Sequence, residues 1–141
     1  MRILIIEDDS DIRESIAQLF ESEGVIVDTA KNGANAFEVL QASIDRLPDV
    51  ILLDLSMPVM NGFDFREQQL KERTFCNIPV ICVSGMHYSQ WMMDKLGADG
   101  YLLKPLSMER VENAIRKLGL EPNQIERGPE DTQETDPIED E

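Results

Sequence analysis

Four apolar runs in this chain each end in side chains that could share one piece of chemistry. Glu7, Asp8 and Asp9 follow Arg2–Ile6, Asp54 follows Val50–Leu53, Ser84 and Gly85 follow Val80–Val83, and Lys104 and Pro105 follow Tyr101–Leu103. Brought to one place, these carboxylates, the hydroxyl and the ammonium could hold a divalent cation beside a phosphoryl group. Carboxylates crowded together repel, and their pKa values climb unless something positive sits among them. Mg2+ resolves the conflict, because it is hard and octahedral and needs only one or two carboxylates besides water and phosphate oxygens. On that chemistry Asp8 and Asp54 are direct ligands, Glu7 a ligand through water, and Asp9 an outward acid at a helix start. The plainer alternative, that Glu7–Asp9 merely caps a helix, loses ground once Asp54 and Lys104 are counted. A carboxylate closing an apolar strand has no packing value. Asp54 can instead attack phosphorus and form an acyl phosphate. Lys104 would then grip a phosphoryl oxygen opposite the cation and Ser84 donate to another, with Gly85 leaving room for a phosphodonor.

The elements that must position these groups follow from the pattern of apolar residues. Short Val/Ile/Leu runs without alternation read as strands buried on both faces, as in parallel sheets. Ligands of such sheets bind outside the carboxyl ends of the strands. The strands expected are Arg2–Ile6, Val25–Ala30, Val50–Asp54, Val80–Ser84 and Gly100–Leu103. Between them lie helical spacings. The first helix is expected over Asp11–Glu23, with Ser10 as its N-cap, Ile12, Ile16, Leu19 and Phe20 on its apolar face, and Gly24 as its stop. A second carries Ala36, Phe37, Val39 and Leu40 after the Asn32-Gly33 turn, and a third runs from about Phe63 to Arg73 after the Met57–Gly62 loop. A short fourth helix lies within His87–Leu96, and Met108–Leu118 forms the last. Five strand–helix units with short links imply an α/β fold, a flavodoxin-like (βα)5 three-layer sandwich. Its parallel five-stranded sheet is expected with right-handed crossovers, and the order 2-1-3-4-5 is taken from the known flavodoxin-like pattern that five such units suit. Its switch point then falls between strands one and three, where Asp8 and Asp54 end up.

The chain of 141 residues carries a net charge of −15, unevenly spread. From Glu121 to Glu141 nine acids face Arg127 alone, so −8 of the total lies there. The expected organisation is one domain over 1–119 and an acidic, disordered tail over 120–141, too polar to offset its ordering entropy. So acidic a protein, with no basic stripe, repels phosphate backbones, which argues against direct nucleic-acid binding. No apolar run is long enough for a membrane span, and Met1-Arg2 leads straight into a strand without a signal peptide. Cys76 and Cys82 are too few for a disulfide framework or a zinc site, and Cys82 reads as a small core residue. A cytoplasmic protein is expected.

These residues resemble the receiver domain of two-component response regulators. The likeness rests on Ile3–Asp9, Val50–Pro58, Met60-Asn61-Gly62, Val83-Ser84-Gly85 and Gly97–Pro105, in the family's order. It implies that Asp54 is the phosphoacceptor, supplied by the phosphohistidine of a sensor histidine kinase or phosphotransfer protein. Asp8, Asp54 and the backbone carbonyl of Ser56 would coordinate Mg2+, with Glu7 assisting through water. Lys104 would pair with the phosphoryl group and the peptide preceding Pro105 would be cis. Ser84 and Tyr101 match the family's switch pair, through which phosphorylation alters the face of helix four, strand five and helix five and so its protein target. The chain would be a stand-alone signalling switch that modifies itself, not a turnover enzyme. Two departures stand out: the Ser84–Gly97 stretch is short, so helix four is expected truncated or irregular, and Asn61 replaces the more frequent Asp before Gly62.

Other residues invite larger claims than they support. His87, the one histidine, reads as a surface residue at a helix start. Met86, Tyr88, Trp91, Met92 and Met93 give helix four a soft apolar content, partly core and partly an adaptable docking surface with Trp91 as anchor. Asp9-Ser10-Asp11 lacks the Gly and Glu spacing of a calcium loop. Two rival classes remain. A phosphatase of the haloacid-dehalogenase type also uses a strand-end Asp, but its second Asp two positions on is Ser56 here. A phosphorylation-independent interaction module would not need Asp54 and Lys104 intact. A nucleotide-binding protein lacks its glycine loop.

Overall fold

Val, Ile and Leu dominate three strands that are buried throughout or nearly so, and this burial organises the molecule. In the computed structural model, residues 1–55 and 61–121 are described. Ser56, the rest of the 56–60 loop and residues 122–141, which hold nearly all of the acidic tail, lie outside the described residues. The elements alternate as β1 (Arg2–Ile6), α1 (Ser10–Glu21), β2 (Ile26–Ala30), α2 (Gly33–Ala42) and β3 (Val50–Asp54), followed by α3 (Gly62–Lys71), β4 (Val80–Ser84), α4 (Gln90–Leu96), β5 (Gly100–Leu103) and α5 (Met108–Lys117). All strands are parallel, in the order β2-β1-β3-β4-β5. This is the expected flavodoxin-like arrangement.

Each sheet face has its own core. On one, Leu4, Ile51 and Leu53 meet Leu40, Phe65 and Leu96 from α2, α3 and α4. On the other, Ile3, Ile5 and Ile81 meet Phe20 of α1 and Val111 and Ile115 of α5. Full burial of one such side chain stabilises by about 1.5–3 kcal/mol, so both layers hold firmly to the sheet. The register Ile6↔Leu53, Asp54↔Val83 and Ser84↔Leu103 brings the strand ends level.

Every helix is capped by a side chain one residue before it: Asp9, Asn32, Asn61, Ser89 and Ser107 accept from the N–H three positions on. Asp9, not Ser10, is therefore the first N-cap. The chain turns one residue earlier than the apolar spacing suggested, because the Asp9 carboxylate can both face the exposed first turn and accept from Ile12 N. The apolar face of α1 also differs from expectation. Phe20 is buried, but Ile12 and Leu19 are 38% and 50% exposed. They line a groove of about 600 Å³ with Ile16 and Leu106 that runs to Lys104. Helix four is short, as anticipated. It buries only Leu96; Trp91 and, ahead of the helix, Met86 are exposed, while Met92, Met93 and the preceding Tyr88 are half-buried, so the apolar content is split between core and surface. Cys82 is core, its thiol pushed up to about 12 by burial.

Gly62 opens α3 directly against the end of β3. A Cβ there would lie 2.6 Å from Leu55 Cα and 2.7 Å from the Asp54 carbonyl oxygen, both backbone atoms with little room to yield. Gly62→Ala is accordingly expected to cost about 1–3 kcal/mol in urea unfolding. Gly85→Ala, whose Cβ meets nothing within 4 Å, serves as the control.

Candidate functional site

The β1 and β3 ends deliver acids to one point because their register makes Glu7 the neighbour of Asp54. Both are buried, at 4% and 3% exposure, whereas Asp8 stands in solvent. Glu7, Asp8 and Asp54 each present an oxygen within 4.8 Å of the others. Lys104, leaving the end of β5, places Nζ 3.2 Å from Glu7 Oε1 and 3.7 Å from Asp54 Oδ2. The other Glu7 oxygen accepts from Asp9 N at 3.2 Å. Arg13 donates to the Glu7 carbonyl at 2.8 Å and so ties α1 to the same corner.

The electrostatics record a cluster of acids held together by one amine. Burial first, and the Asp54 charge second, push Glu7 up to about 7 from its ordinary 4.5. Burial alone would lower the Lys104 ammonium, but Asp54 and then Glu7 more than compensate and hold it above its ordinary value. The donor set fits a small hard cation. Asp8 and Asp54 offer hard carboxylate oxygens that would hold Mg2+ directly, and Glu7, its oxygen within 4.8 Å of theirs, would reach the ion through water.

A pH dependence follows. Folded Glu7 keeps a proton that the unfolded chain releases, so its contribution to stability is fully present below about pH 4.5 and is lost as the pH rises through about 7. Relative to Glu7→Gln, the metal-free protein should lose on the order of 2 kcal/mol between pH 4.5 and 8. Urea unfolding at both pH values reads this, and equal slopes for the two proteins would refute it.

Ser84 lies beside this cluster through its backbone, its carbonyl accepting from Lys104 N at 2.8 Å. Its hydroxyl is turned elsewhere: it accepts from Met86 N at 3.0 Å and donates to the Met86 carbonyl. Tyr101 is exposed on the α4 side of β5, its hydroxyl donating to Met93 O at 2.7 Å and accepting from Ala98 N at 3.1 Å. A cavity of about 290 Å³ separates the two, bounded also by Met86, His87, Tyr88 and Met93. The Lys104–Pro105 peptide is cis. Ser56 falls outside the described residues, so its carbonyl has no place in this geometry.

Sequence reasoning passed over two arginines. Arg110 donates from Nη1 to the carbonyls of Leu103 and Pro105, at 2.7 and 2.9 Å, bracketing Lys104. Arg66 is buried in α3 and bonded to the end of α4. The available signal for Arg66 was an Arg beside Phe65 and three residues before Gln69, polar residues on a helix face that must pack.

A parallel (βα)5 protein with an acid pocket and a lysine at the carboxyl edge of its sheet defines a narrow class. Residues 3–116 match the family model of the response regulator receiver domain. Chemotaxis protein CheY of Halobacterium salinarum is 30% identical over 115 residues, covering 81% of this chain and 92% of that one. The alkaline phosphatase synthesis transcriptional regulatory protein SphR of Synechococcus elongatus is 31% identical over 125 residues, covering 83% of this chain and 48% of its own. The chain thus spans about half the length of several of the curated relatives it matches. Among solved structures, CheY4 of Vibrio cholerae superposes with a TM-score of 0.74 at 27% identity, covering 82% of this chain and 96% of that one. This chain belongs to the response regulator receiver domain family, a family of phosphorylation-activated signalling switches.

Proposed function

We propose that residues 1–119 form a cytoplasmic switch in which Asp54 accepts a phosphoryl group from a phosphohistidine of a sensor kinase or phosphotransfer protein. Residues 120–141 would be an acidic segment beyond this domain, although Leu120 still packs against the core and Glu121 pairs with Arg116. The observation that supports this best is the Lys104 ammonium held between two buried carboxylates at the strand ends. Asp8, Asp54 and the Ser56 carbonyl would hold Mg2+, with Glu7 contacting it through water. The bound ion supplies positive charge that lets an anionic carboxylate approach an anionic phosphoryl group.

In the transfer, an Asp54 Oδ–phosphorus bond forms as the phosphorus–nitrogen bond of the donor breaks, and the imidazole leaves with a proton. Lys104 moves its pairing from the carboxylates to a phosphoryl oxygen. Gly85 leaves the approach clear, and the apolar groove of Ile12, Ile16, Leu19 and Leu106 beside Lys104 offers a phosphodonor protein a place to rest. The new charge of about −1.5 to −2 then draws the Ser84 hydroxyl from Met86 toward the phosphoryl group. Tyr101 can turn into the cavity between them, altering the α4–β5–α5 face for a protein target.

Intact mass after acetyl phosphate treatment tests this reading. One phosphoryl group is expected with Mg2+ and none without it. Catalytic hydrolysis of small phosphoesters would favour the phosphatase class instead, and none is expected. A chain left unlabelled with Mg2+ present would point to the phosphorylation-independent module.

A further inference from the structure

Helix α4 is fastened firmly at one end. At its carboxyl end Arg66 reaches over from α3, with Nε donating to Leu96 O at 3.1 Å and Nη2 to Gly97 O at 2.7 Å. Nη1 donates to Gln69 Oε1 at 2.8 Å, and Gln69, itself fully buried, donates to Phe75 O and Ile78 O at 2.9 and 3.1 Å. Gly97, at φ +61, turns the chain so that two successive carbonyls face the same guanidinium. Among the described residues, the hydrogen bonds that tie α4 to other elements fall in this last turn, from Arg66 and from Tyr101 to Met93 O. The amino end has its own Ser89 cap, preceded by the edge-on contact of Tyr88 with Phe63 at 5.3 Å.

Arg66 is only 6% exposed, and among the described residues no carboxylate forms an ion pair with it. Its counter-charge is the helix end, whose unpaired carbonyls carry about half a negative charge. Pulling α4 off this group would strand a desolvated cation, which is far costlier than sliding Tyr88 along a ring or exchanging the Ser84–Met86 hydrogen bonds.

We propose that Arg66 is a positioning residue that makes the carboxyl end of α4 a fixed pivot, so that a signal from the site swings only its amino-terminal part. This rests on the switch reading above and adds its geometry. The surface that changes would be Met86 to Met92, with exposed Trp91 at its centre, while Leu96 and Gly97 stay seated on α3.

Hydrogen exchange read by mass spectrometry tests the pivot in the full chain, with phosphorylation checked by intact mass. In the parent, acetyl phosphate with Mg2+ should change exchange over 86–92 by about tenfold and over 95–97 by under about twofold, the Ala98 N–H being set apart because Tyr101 releases it on turning. In Arg66→Met, exchange over 95–97 should quicken about tenfold even without phosphorylation, as charged hydrogen bonds are lost. The response to phosphorylation should then spread along the whole helix. Arg66→Lys keeps the charge but not the fork, and should quicken 95–97 by about threefold; it decides the matter if the Met variant does not fold. Equal phosphorylation responses at both ends of the parent helix, or unchanged 95–97 exchange in the folded variants, would overturn the pivot. Failure to take up a phosphoryl group would overturn the reading of Asp54 instead, and the unmodified arm would still decide whether Arg66 pins the helix.

Discussion

Asp54→Asn takes up no phosphoryl group from acetyl phosphate with Mg2+, while the parent acquires one. The amide fills the same space at the end of β3, and the backbone that approaches Gly62 is untouched. What it lacks is the anionic oxygen that attacks phosphorus, and labelling should drop by about a thousandfold or more. The same variant should be more stable than the parent without metal, by about 1 kcal/mol at pH 7. Asp54 is the second cause, after burial, of the raised Glu7 pKa, and that repulsion disappears with the charge. Loss of labelling with a gain in stability is the signature of a functional carboxylate. Intact mass and urea unfolding read the two halves. Equal labelling of both proteins, or a phosphoryl group mapped to Glu7 or Asp8, would remove Asp54 from its role.

Lys104→Met has the next largest effect, and it acts in the opposite sense on stability. Methionine keeps much of the apolar stem but removes an ammonium 3.2 Å from Glu7 and 3.7 Å from Asp54. Two buried carboxylates then face each other with no amine between them. The metal-free protein should lose on the order of 1–2 kcal/mol at pH 7, and added Mg2+ should restore part of it. The rate of labelling should fall about 10²–10³-fold, the usual cost of removing one group that meets developing charge. Lys104→Arg, with the charge kept but the head group wider and planar, should fall between. Labelling within about threefold of the parent would mean that Lys104 only balances the acids and never meets the phosphoryl group.

Much of this arrangement was legible in the chain itself. Four strand ranges, Arg2–Ile6, Val50–Asp54, Val80–Ser84 and Gly100–Leu103, agree with expectation, because uninterrupted apolar runs, the last three preceded by Pro48, Pro79 and Gly97, are local signals. Alternation with helical spacing then restricts the sheet to parallel strands with right-handed crossovers, while the order 2-1-3-4-5 comes from the known flavodoxin-like pattern such units suit. Once the strand order holds, Glu7, Asp54 and Lys104 must meet, since each directly follows or ends a strand and parallel strands bring such ends to one edge. Chain chemistry alone therefore supplied the parallel strand–helix class and the polar groups at the carboxyl edge of its sheet. Packing in three dimensions decided the rest: that Asp9 caps α1, that Ile12 and Leu19 stay at the surface, that the Ser84 hydroxyl turns to Met86, and that Arg66 is buried at the end of α4. The physical reason is the range of the forces involved. Apolar periodicity is written within a single turn or strand, whereas a polar side chain goes wherever a distant partner satisfies it, and the carbonyl that receives Arg66 Nε lies thirty residues further along the chain.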